Sequence, residues 1–562
     1  MLKAKSKANL IRQISKLMIQ AKNLSIAKKF EQALACLDQV IALKPDVAAA
    51  WVNKGVCLAY LKRLDESLAC SNQALLLCPN HPQALLNRAS ALFTQKRISE
   101  ALSAYIEAMN LYPNDINLLT SQAATLHLLG RHPEALDRYR QALALKPDYA
   151  EVHSNVVFLL DFIPELGYEE LQQERRNFWH MQAEKVAQHI RPHANNRDPD
   201  RKLVVGYVSG DYKYHSASFC FGPVLRRHDH EQFRVILYST TENEDNVTEQ
   251  FRQMGEWRPV LGLSEGQIAE QIRQDRVDIL VDLSGHSSGN RLLVFARKPA
   301  PVQVTAWGHG GGTGLKTMDY YFTDPVYTPE WARGWFAETC WDLPCGIGFE
   351  SPTGLSDPNL LPAATNGYVT FGSLNRFSKV SQGALALWAR ILNRVPDSKL
   401  LLKDHAVGDP GVQEQIIATM ADYGVGEHRL ILRGGGAHLE HLNTYLDIDV
   451  ALDPFPQNGG ISTWEALWMG VPVITWAGKA PSSRIGAAIL TALGVTGWIA
   501  EDEEGYLGIA EAVASHLEVL TQFRATSRQG IMGSAAGNPN LYVRAVEQAY
   551  REMWQRWLAC PK

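Results

Sequence analysis

Four prolines, Pro45, Pro79, Pro113 and Pro147, stand 34 residues apart. Two ladders of small residues keep the same interval: Ala33, Ser67, Ala101 and Ala135, and Ala21, Gly55, Ala89 and Ala123. A period this long repeats a whole pair of helices. One pair cannot bury its apolar faces alone, so successive pairs stack into a solenoid. The small residues mark close helix contacts. Each second helix opens like Phe30-Glu31-Gln32-Ala33-Leu34 and ends like Leu43-Lys44-Pro45-Asp46. Proline there stops one helix, and the following Asp or Asn is expected to cap the next. Four repeats are complete. A fifth begins at Ala150 and fails at Phe162-Ile163-Pro164, and Glu169 to His189 reads as a capping helix packed through Phe178 and Trp179. The period stops with most of the chain still to come.

The 562 residues exceed what one core can organise. A formal net charge of -4 argues against a nucleic-acid binder. No apolar run approaches about 18 residues, so no membrane span is expected. The basic segment Met1 to Lys16 lacks the apolar stretch of a secretory signal. The 8 cysteines form no Cys-x-x-Cys pair, which suits a reducing, cytoplasmic compartment.

Arg191 to Arg201 is a polar linker, after which the pattern changes. Short apolar runs alternate with helical stretches: Leu203–Val208, Phe233–Ser239, Asp278–Leu283 and Val302–Trp307, then Tyr368–Phe371, Lys399–Lys403, Arg429–Leu432, Asp449–Leu452 and Val473–Trp476. This alternation predicts two parallel sheets with helices on both faces, and ligands outside the strands' carboxyl ends. The expected divisions are repeats over 1–162, cap and linker over 163–200, lobes over 201–345 and 367–540 joined by 346–366, and an amphipathic helix within 541–562.

Several groups fall at expected strand ends. Asp453 to Thr463 ends one strand and opens a helix through Gly459 and Gly460, and free N–H groups and hydroxyls there suit a phosphate. Glu465, one turn in, lies within reach of a ribose. Asn375, Arg376 and Lys379 follow another strand, where positive charge would face a leaving diphosphate. His215, His286 and His309 follow three strands of the first lobe. His215 suits a base or an orienting group. A metal is not expected, since none of these three histidines belongs to a tight ligand pair such as His-x-x-x-His, and Asp447-Ile448-Asp449 reads as a strand entry. Gly308 to Gly314 departs from the dinucleotide fingerprint.

Taken with their order and spacing, the segments Gly206–Ser218, Asp278–Asp324, Val369–Lys379 and Asp449–Gly478 give the chain a clear likeness. It resembles the protein O-linked N-acetylglucosamine transferase family, especially its SPINDLY-like branch. The resemblance implies an α-helical tetratricopeptide-repeat (TPR) solenoid followed by a GT-B fold of two Rossmann-like α/β lobes. It implies an inverting, metal-independent transfer of N-acetylglucosamine from UDP-N-acetylglucosamine to Ser or Thr of target proteins. The nucleotide sugar is a co-substrate and no cofactor is implied. His215 and Asp275 fall at positions associated with proton removal, and Lys379 at the diphosphate. Asn375, Arg376, Gly436, Ala437, His438, His441, Leu442, Asn443 and Thr444 surround the nucleotide. Gly460, Ile461 and Ser462 cradle phosphate, and Glu465 meets the ribose. The solenoid's concave face would hold acceptor proteins, and homo-oligomerisation is left open. Three departures, Ile461 for Thr, Gly308-His309-Gly310 for Gly-Tyr-Pro and His438 for Lys, keep two alternatives: a GDP-fucose-dependent O-fucosyltransferase, and a non-enzymatic repeat adaptor.

Overall fold

The computed structural model describes residues 2–352, 354–355 and 357–560. The outer limits expected at 1 and 562, and residues 353 and 356 of the expected connection, lie outside them. Two compact units form: Met1–Leu145 with Asp409–Gln413, and Lys146–Gly408 with Glu414–Lys562. Among the described residues no helix is long and apolar enough to cross a membrane.

The first unit contains four helix pairs: α1 (Leu2–Ile26) with α2 (Phe30–Leu43), α3 (Ala48–Tyr60) with α4 (Leu64–Leu77), α5 (Pro82–Thr94) with α6 (Ile98–Leu111), and α7 (Ile116–Leu128) with α8 (His132–Leu145). Both small-residue ladders are buried where helices meet. A Cβ at Gly55 would press on the Ser67 carbonyl at 3.3 Å, and the Ser67 hydroxyl donates to the Gly55 carbonyl at 2.7 Å. A ladder that sequence reading missed closes each pair. Lys28, Lys62, Lys96 and Gly130 take left-handed φ of 57°, 63°, 66° and 72°, reversing the chain between paired helices. The capping expectation fails by one residue. The N-caps of α3, α5 and α7 are Val47, His81 and Asp115, not Asp46, Asn80 and Asn114.

The second unit opens with α9 (Ala150–Leu160) and α10 (Tyr168–Phe178), the latter running on through one wider and one tighter turn to His189. Phe178 and Trp179 are buried against the first lobe, as expected of a cap. The first lobe is a seven-stranded sheet in the order β3-β2-β1-β4-β5-β6-β7. Its strands are β1 (Leu203–Ser209), β2 (Phe233–Ser239), β3 (Glu256–Pro259), β4 (Ile279–Asp282), β5 (Val302–Thr305), β6 (Tyr320–Thr323) and β7 (Thr339–Asp342). The second is six-stranded in the order β10-β9-β8-β11-β12-β13: β8 (Thr370–Ser373), β9 (Lys399–Lys403), β10 (Leu430–Arg433), β11 (Val450–Leu452), β12 (Val473–Trp476) and β13 (Ile499–Ala500). Every pairing is parallel. The inner strands are apolar because helices cover both faces. The outer strands β3 and β7 are half-exposed and polar, which hid them from an apolar-run search.

The polar linker is pinned rather than loose. The buried Asp278 carboxylate accepts from Arg201 Nη1 at 2.7 Å, Asn195 Nδ2 at 2.7 Å and the Val204 N–H at 2.8 Å. The helix Pro539–Ala559, which begins two residues before the expected amphipathic segment, joins the core of the first lobe, where Val546, Tyr550, Met553 and Trp554 meet β1, β2 and β4 residues. Trp554, not Trp557, is the buried tryptophan on that face.

Candidate functional site

The second lobe brings two strand ends together. After β8 the chain passes Asn375 and Arg376 into a short turn, Phe377–Lys379. After β11 it passes Asp453 to Gly460 and opens the helix Ile461–Trp468. Lys379 Nζ donates to the Asn458 carbonyl at 2.6 Å, and Ser462 Oγ donates to Asn375 Oδ1 at 2.7 Å, tying the two ends into one floor. The helix has no side-chain cap; the Thr463 and Trp464 N–H groups donate to the Gly460 carbonyl at 3.1 and 3.2 Å, which leaves those of Ile461 and Ser462 for a ligand at this floor. Thr463 is buried and its hydroxyl has no hydrogen-bond partner. Behind the floor lies the buried carboxylate of Asp453, held by the Gly459 N–H at 2.6 Å and Thr475 Oγ1 at 2.7 Å.

The electrostatics favour an anion here. Burial, and then the nearby Arg376 guanidinium, push the Lys379 ammonium down to about 7, while Asp453 opposes the shift. Burial pushes the Asp453 carboxyl up. A desolvated ammonium with one protein acceptor, beside free helix N–H groups, gains most from an oxyanion that restores its lost solvation. Arg376 itself is exposed at the floor's edge.

Beyond the floor, Glu465 is buried with Oε1 2.7 Å from His438 Nε2 and Oε2 4.0 Å from His441 Nε2. The two histidines share the helix His438–Asn443, three residues apart. Burial holds His441 below its usual range, with Glu465 acting against it. Ala437 is the N-cap of that helix, and Gly436 leaves room that the Glu440 carboxylate occupies. Leu442 lines a cavity of about 520 Å³ with Ile461 and Glu465. Thr444 is spent elsewhere, accepting from the buried Lys403 Nζ at 2.9 Å, and Asn443 is exposed.

The first lobe closes the same cavity through α11 (Ser216–Arg226). Phe219 stacks on His438 with ring centroids 5.2 Å apart and planes 10° from parallel, and Tyr214 meets His438 edge-on at 5.6 Å. These two aromatic residues were not singled out from the sequence. Spacing alone does not separate a cleft aromatic from a core one.

His215 is the N-cap of α11, beyond the carboxyl end of β1. Its Nδ1 accepts from the Ala217 N–H at 3.2 Å, and lies 3.6 Å from the Asp211 carboxylate. A neutral imidazole has one acceptor and one donor nitrogen. With Nδ1 accepting, Nε2 carries the proton and donates. Burial lowers the pKa of His215 against the pull of Asp211. This arrangement suits an orienting donor rather than a base.

Three expectations need correction. Asp275 ends the helix before β4, at the strand's amino end, whereas His215 follows the carboxyl end of the adjacent β1. Its carboxylate accepts from Tyr238 Oη at 2.7 Å and Arg258 Nη2 at 3.1 Å, and the structure does not bring it to the cleft. His286 is wholly buried, donating from Nε2 to the Thr313 carbonyl at 2.9 Å, and burial keeps it neutral. His309 pairs with the buried Asp161 that follows α9. Asp161 also meets Arg175 of α10 at 3.2 Å. Burial would raise its pKa, but the Arg175 guanidinium and the contact with His309 outweigh it and lower it. Gly308 to Gly314 therefore receives the capping helix. Arg175 donates to the carbonyls of Gly310 at 3.3 Å and Gly312 at 3.2 Å, and a Cβ at Gly311 would strike its guanidinium at 2.8 Å.

Comparison with known proteins places this geometry. The model of glycosyl transferase family 41 matches residues 177–344 and 361–546, and a tetratricopeptide-repeat model matches 46–114 and 82–148. A Petunia hybrida protein described as "Probable UDP-N-acetylglucosamine--peptide N-acetylglucosaminyltransferase SPINDLY" is 33% identical over 422 residues, 73% of this chain and 45% of that one. Its Arabidopsis thaliana counterpart is 32% identical over 422 residues, 73% of this chain and 46% of that one. The chain thus spans about half the length of these curated relatives. A solved Thermobaculum terrenum O-GlcNAc transferase mutant superposes with a TM-score of 0.78 at 26% identity, over 98% of both chains. With repeats, two parallel lobes and a match over most of both lobes, the chain belongs to glycosyl transferase family 41.

Proposed function

We propose that this chain is a protein O-glycosyltransferase that moves N-acetylglucosamine from UDP-N-acetylglucosamine to Ser or Thr hydroxyls. The supporting observation is the shared floor of Lys379, Asn375, Ser462 and the helix opening at Ile461, an anion cradle at the carboxyl ends of β8 and β11. Glu465 and the cavity beside it receive the ribose and base. The acceptor oxygen bonds to the anomeric carbon as the bond from that carbon to the diphosphate breaks, and the single displacement inverts the centre. Lys379 and the helix N–H groups take up the charge on the departing diphosphate, so the step needs no metal. His215 donates from Nε2 and orients; the hydroxyl proton passes to water in the open cleft. Ile461 supplies its backbone N–H where a hydroxyl is absent, and acceptor proteins reach the site guided by the repeats.

The test is release of UDP and transfer of labelled sugar, with labelled GDP-fucose in parallel. Transfer from UDP-N-acetylglucosamine that is lost in Lys379→Ala supports the mechanism. Full transfer by that variant sinks it, and transfer only from GDP-fucose replaces the donor.

A further inference from the structure

The repeats do not treat their grooves alike. In the first groove a floor cation is neutralised: Lys54 of α3 lies 2.7 Å from Asp38 of α2. One repeat later, Arg88 of α5 pairs with Glu107 of α6. The counterpart of both cations, one further repeat on, is Gln122 of α7. The counterpart of Asp38 is now Ile106 and that of Glu107 is Gln141, so both acids are gone. What remains is a cavity of about 380 Å³ between α6 and α8, with α7 as its floor. Gln122 is 5% exposed and lines it, yet its Oε1 has no hydrogen-bond partner. Ile106, 44% exposed, and Met109 form an apolar wall. On the α8 wall, Arg138 Nε is buried without a partner, while the nearby Glu134 is already held by Arg131 at 2.6 Å.

We propose that this groove is a docking site for an extended, acidic segment of a partner protein. An orphaned acceptor on Gln122 and an orphaned donor on Arg138 ask for a ligand offering both an N–H and an acceptor oxygen. Every residue of an extended peptide offers that pair. The wall of Ile106 and Met109 selects an apolar side chain, and the excess positive charge at Arg138 selects a neighbouring carboxylate. The site lies within the repeat unit and uses none of the residues of the transferase cleft.

Fluorescence polarisation of the whole chain with labelled decapeptides tests this without any nucleotide sugar, so failure of the transferase reading leaves the result interpretable. The peptides centre on Leu-Asp, Leu-Lys or Ala-Asp. The Leu-Asp peptide is expected to bind best. Ile106→Glu, a change at an exposed position, is expected to weaken it by about tenfold or more with unchanged helical circular dichroism. Gln122→Leu weakens it too, and Arg138→Gln removes the preference for Asp over Lys. The proposal is overturned if the wild-type chain shows no preference among the peptides, or if Ile106→Glu binds the Leu-Asp peptide unchanged. It is also overturned if sedimentation shows a dimer that Ile106→Glu dissolves, because a second copy then fills the groove.

Discussion

The two lobes share one construction, a parallel sheet wound out from a central strand, yet they use the groups at their strand ends differently. At the ends of β4 and β5 in the first lobe, polar groups are consumed. His286 bonds to Thr313, His309 and Arg175 enclose Asp161, and the glycine loop is filled by α10. At the ends of β8 and β11 in the second, Lys379 holds one carbonyl, a helix begins without a cap and Thr463 keeps an unused hydroxyl. The difference teaches that a site is recognised by what its groups have not yet bonded. Histidines at strand ends misled the sequence reading because position reveals where a side chain starts and not what it has already met.

The contrast can be broken most forcefully in the closed lobe. Arg175→Met leaves Asp161 buried with one partner fewer. It should cost about 3–5 kcal/mol of stability, read as a lowered denaturant midpoint at unchanged slope. A midpoint within error of wild type would mean that the enclosure is not holding the lobe. In the open lobe Lys379→Ala should keep that midpoint and lower kcat/KM by about 10²–10³-fold, or about 2.7–4 kcal/mol of barrier. A variant that loses stability instead would assign Lys379 to the framework.

A third measurement sharpens the same line. Lys379 is held down to about 7 by burial and Arg376. A bound diphosphate favours its protonated form, so UDP affinity should be full below that value and fall about tenfold per pH unit above it. Calorimetry in buffers of different ionisation enthalpy should show proton uptake near pH 7, absent in Lys379→Met. Flat affinity from pH 6 to 9 would remove the depressed ammonium from the account. The smallest effect is expected at His215. His215→Asn keeps a cap and a donor, and should stay within about tenfold of wild-type turnover without shifting the pH profile. A loss as large as that of Lys379→Ala would restore His215 as the base.

Much of this was legible in the chain. The 34-residue ladders located the paired helices because close packing leaves no freedom of size at Ala33, Gly55 or Ala101. Apolar runs located the other strands but missed β3, β6, β7 and β13: β3 and β7 have exposed faces that admit Glu, Arg and Asp, β6 reads Tyr-Tyr-Phe-Thr, and β13 is two residues long. The turn from Asp453 to Glu465 was legible because glycine, hydroxyl and acid residues at a strand-to-helix junction have few other uses. Long-range pairings were not. Nothing local announces that Asp161 is bound by Arg175 and His309, or that Asp275 belongs with Tyr238 and Arg258.

The helix Pro539–Ala559 has a consequence for how the molecule is born. It supplies Tyr550, whose hydroxyl lies 3.1 Å from that of Tyr207, 343 residues earlier. At about 5–20 residues per second of synthesis, β1 emerges roughly 20–70 s before the partner that completes its core. The second lobe can be finished while the first still exposes apolar surface. The first lobe therefore cannot complete its core until this helix has been made, and of the two lobes it is the one that a chaperone would meet open.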